Sequence, residues 1–331
     1  MPIPFIIGAA VLFTGVAALG GHLSAKEKNE KAKSISDSAK YDYDNQLQET
    51  RSHYDDFADT VSLVGQSREY LINNPVSRFK QSLDMIKHLD IFDVSAGSSE
   101  LARTFDEGEF DSMMAYGASL RKAASQGADD ADAKSALFGA LGPAAVGAYG
   151  TISALAGGAG ILGGLGAGLG VMLTSPLAIV AAPVFLISAF KADEEADANL
   201  EKAKAYEAQC QAECEKLRIQ SDRFQAMNMQ FLIYLGLLDR IGTVFECYEG
   251  RVSDIVGAHR AVLAAQKVRR TREIFSSDEL ETIKTSMNLF NTVKTLCMMN
   301  LVVEKNGEAE MNSEFSDEFI ERIEAVADSY E

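Results

Sequence analysis

Four histidines, four cysteines and one glycine-rich hexapeptide are where this sequence could hold chemistry. His22, His53, His88 and His259 are scattered, and no pair has the spacing of metal ligands. Cys210 and Cys214 stand one helical turn apart, too awkwardly placed within one helix for a disulfide. With Cys247 and Cys297 they read as reduced thiols in packed helices. The hexapeptide GAGILG at 158–163 matches the dinucleotide-loop pattern G-x-G-x-x-G. That chemistry needs a strand before the loop and a carboxylate about 20 residues beyond it for the ribose. The next acidic residue is Asp193 and the surroundings are apolar, so the match follows from glycine density. No P-loop lysine and no H-E-x-x-H occurs. The chain is expected not to be an enzyme and to carry no catalytic, cofactor or metal site.

Charge narrows the partners. The 331 residues carry 48 acidic and 31 basic side chains, a formal net charge of −17. Nucleic-acid binding depends on Lys and Arg neutralising phosphates, so no nucleic-acid partner is expected. Anionic lipid gains no general attraction either. Entry into a membrane would have to be driven by apolar burial.

The apolar residues that could do this are concentrated in two stretches. Residues 1–25 begin with an apolar run, Ile3 to Leu23, long enough to cross a bilayer as a helix. Without a basic segment before it, the run reads as a retained anchor or insertion helix rather than a cleaved signal. The second stretch is more informative. Between Lys134 and Lys191 lie 56 residues without one Asp, Glu, Lys, Arg or His. That is about the length of two membrane-crossing helices and a turn. Gly160, Gly164 and Gly168 repeat a small-xxx-small spacing that lets apolar helices approach closely in lipid. Pro176, in TSP at 174–176, suits the turn of a hairpin. With Pro183 these are the candidate insertion and packing residues. A fully buried helical hairpin is the alternative for the same segment.

The remainder is charged and helical in period. Residues 26–134 form a charged helical region. One helix is expected from Lys26 to about Leu71, stopped by the NNP at 73–75 because residues before proline avoid the helical region. A second follows, with Phe79, Leu83, Ile86 and Leu89 on one side, and a third over 100–124. In 191–331 a sevenfold row runs Ala203, Cys210, Leu217, Phe224, Phe231, Leu238, Phe245, Val252. It predicts a long coiled-coil-like helix over 192–272, unless Gly236, Gly242, Gly250 or Gly257 divides it. Leu217, Phe224, Phe231, Leu238 and Phe245 are the candidate stripe for a bundle or an oligomer. Ser276 heads SSDE, an N-cap with early acidic residues. The last helices are expected over 278–303 and 315–329.

The fold class is therefore all-α: an elongated helical bundle with a long helix and a central apolar, glycine-rich helical hairpin over 135–190. As organisation, this resembles the α-helical pore-forming toxins, which pair a bundle of very long helices with an apolar inserting head. The resemblance implies that residues 136–190 are the head and that residues 1–25 are a second inserting element. The implied function is oligomeric permeabilisation or remodelling of a lipid bilayer, with a homo-oligomer or a related helical partner. The protein would reside in a bacterial inner membrane or a target membrane, and could be soluble before insertion. The alternative is an integral inner-membrane scaffold, or a component of a bacterial defence or stress system, with cytoplasmic helical domains. Lys26, Lys28, Lys31 and Lys33 after the first apolar run suit that topology.

Overall fold

The computed structural model describes residues 24–87, 89, 107–126, 196–264, 274–305 and 308–330. Helix accounts for 90% of them, and the fold is all-α. In chain order the elements are α1 (Ala25–Leu71), a π turn (Ile72–Val76), α2 (Ser77–Ile86), α3 (Glu107–Gln126), α4 (Ala196–Ala258), α5 (Arg260–Ala264), α6 (Ser277–Met298), β1 (Val302–Lys305), β2 (Glu308–Met311) and α7 (Asp317–Tyr330). The 1–25 anchor, apart from its last two residues, and the 135–190 hairpin lie outside the described residues.

The helices start where local chemistry tells them to. Ser24 and Glu27 form a reciprocal cap on α1: the Ser24 N–H donates to Glu27 Oε2 at 2.7 Å, and the Glu27 N–H donates to Ser24 Oγ at 3.3 Å. The same device opens α6, where Ser276 and Glu279 satisfy each other's backbone N–H.

Three boundaries differ from the sequence expectation. The NNP does not end a helix. The chain passes through Pro75 in a π turn and continues directly into α2. A π turn pairs each N–H with the carbonyl five residues back, so one extra residue is accommodated around the ring that lacks a donor. Asn74 Nδ2 donates to the Tyr70 carbonyl at 3.0 Å, supplying a side-chain donor at the widened turn. The long helix is divided: it runs unbroken through Gly236, Gly242 and Gly250 and stops at Ala258, one residue after Gly257. The α6 helix ends at Met298, and its expected last turn is instead an antiparallel hairpin pairing Val302 with Met311 and Lys305 with Glu308. Val302 and Val303 favour the strand. Asn312 closes the base of the hairpin, its N–H on the Leu301 carbonyl and its Nδ2 on the Asn300 carbonyl, both at 2.8 Å.

The chain divides into two compact units. In the first, the described residues are 24–45 and 196–214. They bury small or polar side chains from α1 (Ala32, Ser36, Ala39, Tyr43) and from α4 (Ala196, Asn199, Ala203, Tyr206, Cys210). Asn199 Nδ2 donates to Asn29 Oδ1 at 3.1 Å, and Lys28 pairs with Asp197 at 2.6 Å.

The second unit holds the described residues 46–126 and 215–330. Its continuous apolar core is built by α1 (Phe57, Val61, Val64, Leu71), the π turn, α2 (Phe79, Leu83, Ile86), α3 (Phe110, Met113, Tyr116, Leu120), α4, α6 and α7. Phe79 and Phe245 meet edge-on at 5.3 Å, and Phe110 stacks on Phe290 at 4.1 Å. The Leu71 side chain also packs directly on the α4 backbone: a Cβ on Gly242 would lie 2.6 Å from Leu71 Cδ2.

Candidate functional site

The five stripe residues all lie in the second unit and all are buried: Leu217, Phe224, Phe231, Leu238 and Phe245. Their partners are in the same chain. Phe224 and Phe231 pack on Phe57 of α1, at 6.0 and 5.3 Å between ring centroids. Gly160, Gly164, Gly168, Pro176 and Pro183 lie outside the described residues. Cysteines 210, 214, 247 and 297 are free thiols, but Cys247 is exposed and so departs from the packed environment expected for it. Its neighbours in the sevenfold pattern, Phe245 and Tyr248, take the inward directions instead.

The polar feature at the heart of the second unit was not singled out from the sequence. Arg68 of α1 is 0% exposed. Its position continues the apolar row Phe57, Val61, Val64, Arg68, Leu71, so the side chain must enter the core. There its guanidinium joins four elements. Nε donates to Tyr234 Oη of α4 at 2.9 Å, and Nη1 donates to Tyr116 Oη of α3 at 3.2 Å. Nη2 donates to the Met299 carbonyl at 2.9 Å and the Leu296 carbonyl at 3.5 Å, at the end of α6. Tyr234 Oη also donates to the Leu296 carbonyl, at 2.5 Å. The last carbonyls of a helix carry partial negative charge and have no partner within the helix. A guanidinium placed on them satisfies that end, and its own charge is met by several oxygens at once.

Electrostatics follow from the burial. Burial raises the Tyr234 and Tyr116 phenols above the usual tyrosine range, with Arg68 pulling the other way. Burial pushes the Cys297 thiol up to about 12, again opposed by Arg68. All three are therefore neutral near neutral pH. Arg68 and Tyr234 are both 0% exposed, and the centre ties α1, α3, α4 and the end of α6 to one point.

Three smaller constellations resemble reactive groups. His53 Nδ1 contacts Ser221 Oγ, while Gln225 Nε2 lies 2.7 Å from His53 Nε2. A serine against an imidazole is the start of a nucleophile–base pair, but Ser221 is buried and both ring nitrogens are engaged. Arg78 spans Glu246 and Glu249, each at 2.9 Å, and Tyr70 Oη donates to Glu246 at 3.1 Å. Glu249 is almost wholly buried, and its second oxygen lacks a hydrogen-bond partner. The Arg78 guanidinium already occupies the place a bound cation would take. His259 Nε2 lies 3.1 Å from Glu279 Oε1, beside the Phe275 ring. Among the described residues, no group of three or more His, Cys, Asp or Glu is placed to hold a metal ion. No described helix is long and apolar enough to cross a membrane.

Comparison with known proteins returns no protein-family model, no curated protein and no solved structure that matches the chain.

Proposed function

We propose that this protein inserts into lipid bilayers through its glycine-rich apolar run and permeabilises or remodels them as an oligomer. The observation that carries the reading is the 56-residue stretch between Lys134 and Lys191, which has no Asp, Glu, Lys, Arg or His. A segment of this composition gains free energy from hydrocarbon surroundings and loses little on leaving water. In chain order the stretch lies between α3 and α4.

The core of the second unit also bears on how copies would assemble. The stripe from Leu217 to Phe245 is occupied by partners within the chain, so association through it would require the bundle to open. The Gly160, Gly164 and Gly168 face is the better assembly surface, because helices in lipid gain from close backbone approach.

Deleting residues 136–190 tests the central claim. The truncated chain is expected in the soluble fraction and the full chain in carbonate-resistant membranes; a truncated chain that still resists carbonate removes the claim's main support. A triple Gly160, Gly164 and Gly168→Leu variant keeps the run apolar but fills the contact face. It is expected to stay in membranes while losing both its oligomer and its release of dye from vesicles. Unchanged leakage would favour the scaffold reading. So would a parent chain found only in membranes, with no soluble pool. The four lysines at 26–33 are what commend that second reading.

A further inference from the structure

Insertion of the apolar run would require part of the bundle to open. We infer that α3 is a detachable strap, opening as a unit ahead of the rest of the bundle. The inference deepens the insertion reading and rests on it only for its biological purpose.

Three observations single out α3. The first is what lies under it. Tyr116 sits on the Arg68 guanidinium, so the floor beneath the middle of the strap is polar. A purely apolar floor would expose oily surface when uncovered. A guanidinium and two phenols regain hydrogen bonds to water instead, which lowers the cost of lifting this helix relative to lifting one from a wholly apolar floor.

The second observation is how its edges are held. Arg121 pairs with Glu69 at 2.9 Å, Lys80 lies 3.9 Å from Asp111, and Lys294 pairs with Glu109. These pairs sit at the surface, where both partners hydrate readily once parted. The apolar attachment is made by Phe110, Met113 and Leu120, with Phe110 stacked on Phe290 at 4.1 Å.

The third is the seat. The π turn presents Asn73, whose Nδ2 donates to the Gly117 carbonyl at 3.0 Å. There α3 comes so near that a Cβ on Gly117 would overlap Ile72 Cγ2 and lie 3.0 Å from Ile72 Cβ. Both strap and seat thus depend on one glycine and one irregular turn. In sequence, 20 residues separate α3 from α2 and 69 separate it from α4. Those 69 residues contain the apolar run.

Hydrogen–deuterium exchange on the full chain tests this. Amides of residues 110–120 are expected to exchange as a group at least 100-fold faster than those of residues 231–245. Equal protection in the two segments would overturn the strap. Gly117→Ala should speed exchange of 110–120 a further tenfold or more while leaving 231–245 unchanged. Helix propensity alone would make alanine slow that exchange, so an acceleration reports the lost seat. Equal acceleration everywhere would also overturn the inference. Tyr116→Phe, a smaller change, should accelerate the same segment about tenfold by removing the hydroxyl that accepts from Arg68 Nη1 in the closed state. Phosphatidylcholine vesicles loaded with carboxyfluorescein separate the two readings. A variant that opens the strap with no gain in dye release counts against membrane permeabilisation and leaves the strap standing. Dye release by a parent chain whose α3 is as protected as α4 leaves permeabilisation standing and removes the strap.

Discussion

The α4 helix keeps one sevenfold row along its length but fills it differently in the two units. Over 196–214 the buried positions include Ala203, Tyr206 and Cys210; over 215–258 they include Leu217, Phe224, Phe231, Leu238, Phe245 and Val252. The period is the same and the volume is not. Small side chains beside Asn199 and Ser36 bury little apolar area and lean on hydrogen bonds. Large aromatic side chains exclude water over a much greater area. Helical periodicity therefore tells which residues face inward, and side-chain volume tells where stability is stored.

The contrast can be broken by substitution. Phe245→Ala, which removes a ring set against Phe79 and Phe290, should cost about 4 kcal/mol in urea unfolding. Cys210→Ala, in the same row, should cost about 1 kcal/mol or less; a loss as large as that of Phe245→Ala would abolish the distinction. Arg68→Met tests whether the polar centre belongs with the aromatic core. Removing the guanidinium takes away the donor on the Met299 carbonyl and the partner of the buried Tyr116 and Tyr234 hydroxyls, so a loss of about 3 kcal/mol is expected. An apolar replacement of a buried charge can also stabilise, and a gain here would show that the centre serves opening rather than stability.

A titration sharpens the same point. The Cys297 thiol is raised from an ordinary value of 9.0 to about 12 when folded. Below pH 9 both folded and unfolded chains hold this proton, and the contribution to stability is fully present. As pH rises from about 9 to 12, only the unfolded chain releases it, and stability falls. Denaturation midpoints measured across that window should decline in the parent and decline less in Cys297→Ala. The smallest effect expected is at a helix start: Ser276→Ala should cost about 1 kcal/mol by removing half of the reciprocal cap on α6.

How much of this was written legibly in the sequence differs from place to place. Periodicity was sufficient for α1, α2 and α4, because Phe57, Phe79 and Phe231 fall on rows that no strand would use. The cap at Ser276 was legible because its chemistry is local. Arg68 was overlooked because charge normally marks the solvated face, although its place between Val64 and Leu71 pointed inward. The hairpin after α6 was read as helix because Leu301 and Val302 extend an apolar pattern that suits either period. Asn306-Gly307, the dipeptide of tight hairpin turns, was the signal against it. Proline at 75 signals a terminator only for α-helical turns, and the π turn at Ile72–Val76 escapes that rule. None of the three-dimensional convergence on Arg68 could be read from spacing, since Tyr116, Tyr234 and Met299 reach it from widely separated parts of the chain.

The π turn has a consequence for how this protein tolerates change in length. One added residue in an α-helix rotates everything beyond it by about 100°, which would turn Phe79, Leu83 and Ile86 away from the core. The widened turn at Ile72–Val76 absorbs that rotation, so α1 and α2 stay in phase across it. It acts as a vernier in the chain: a one-residue deletion inside it could relax to ordinary α-helix with both faces preserved, whereas the same deletion ten residues earlier would set the two halves of the rod out of step.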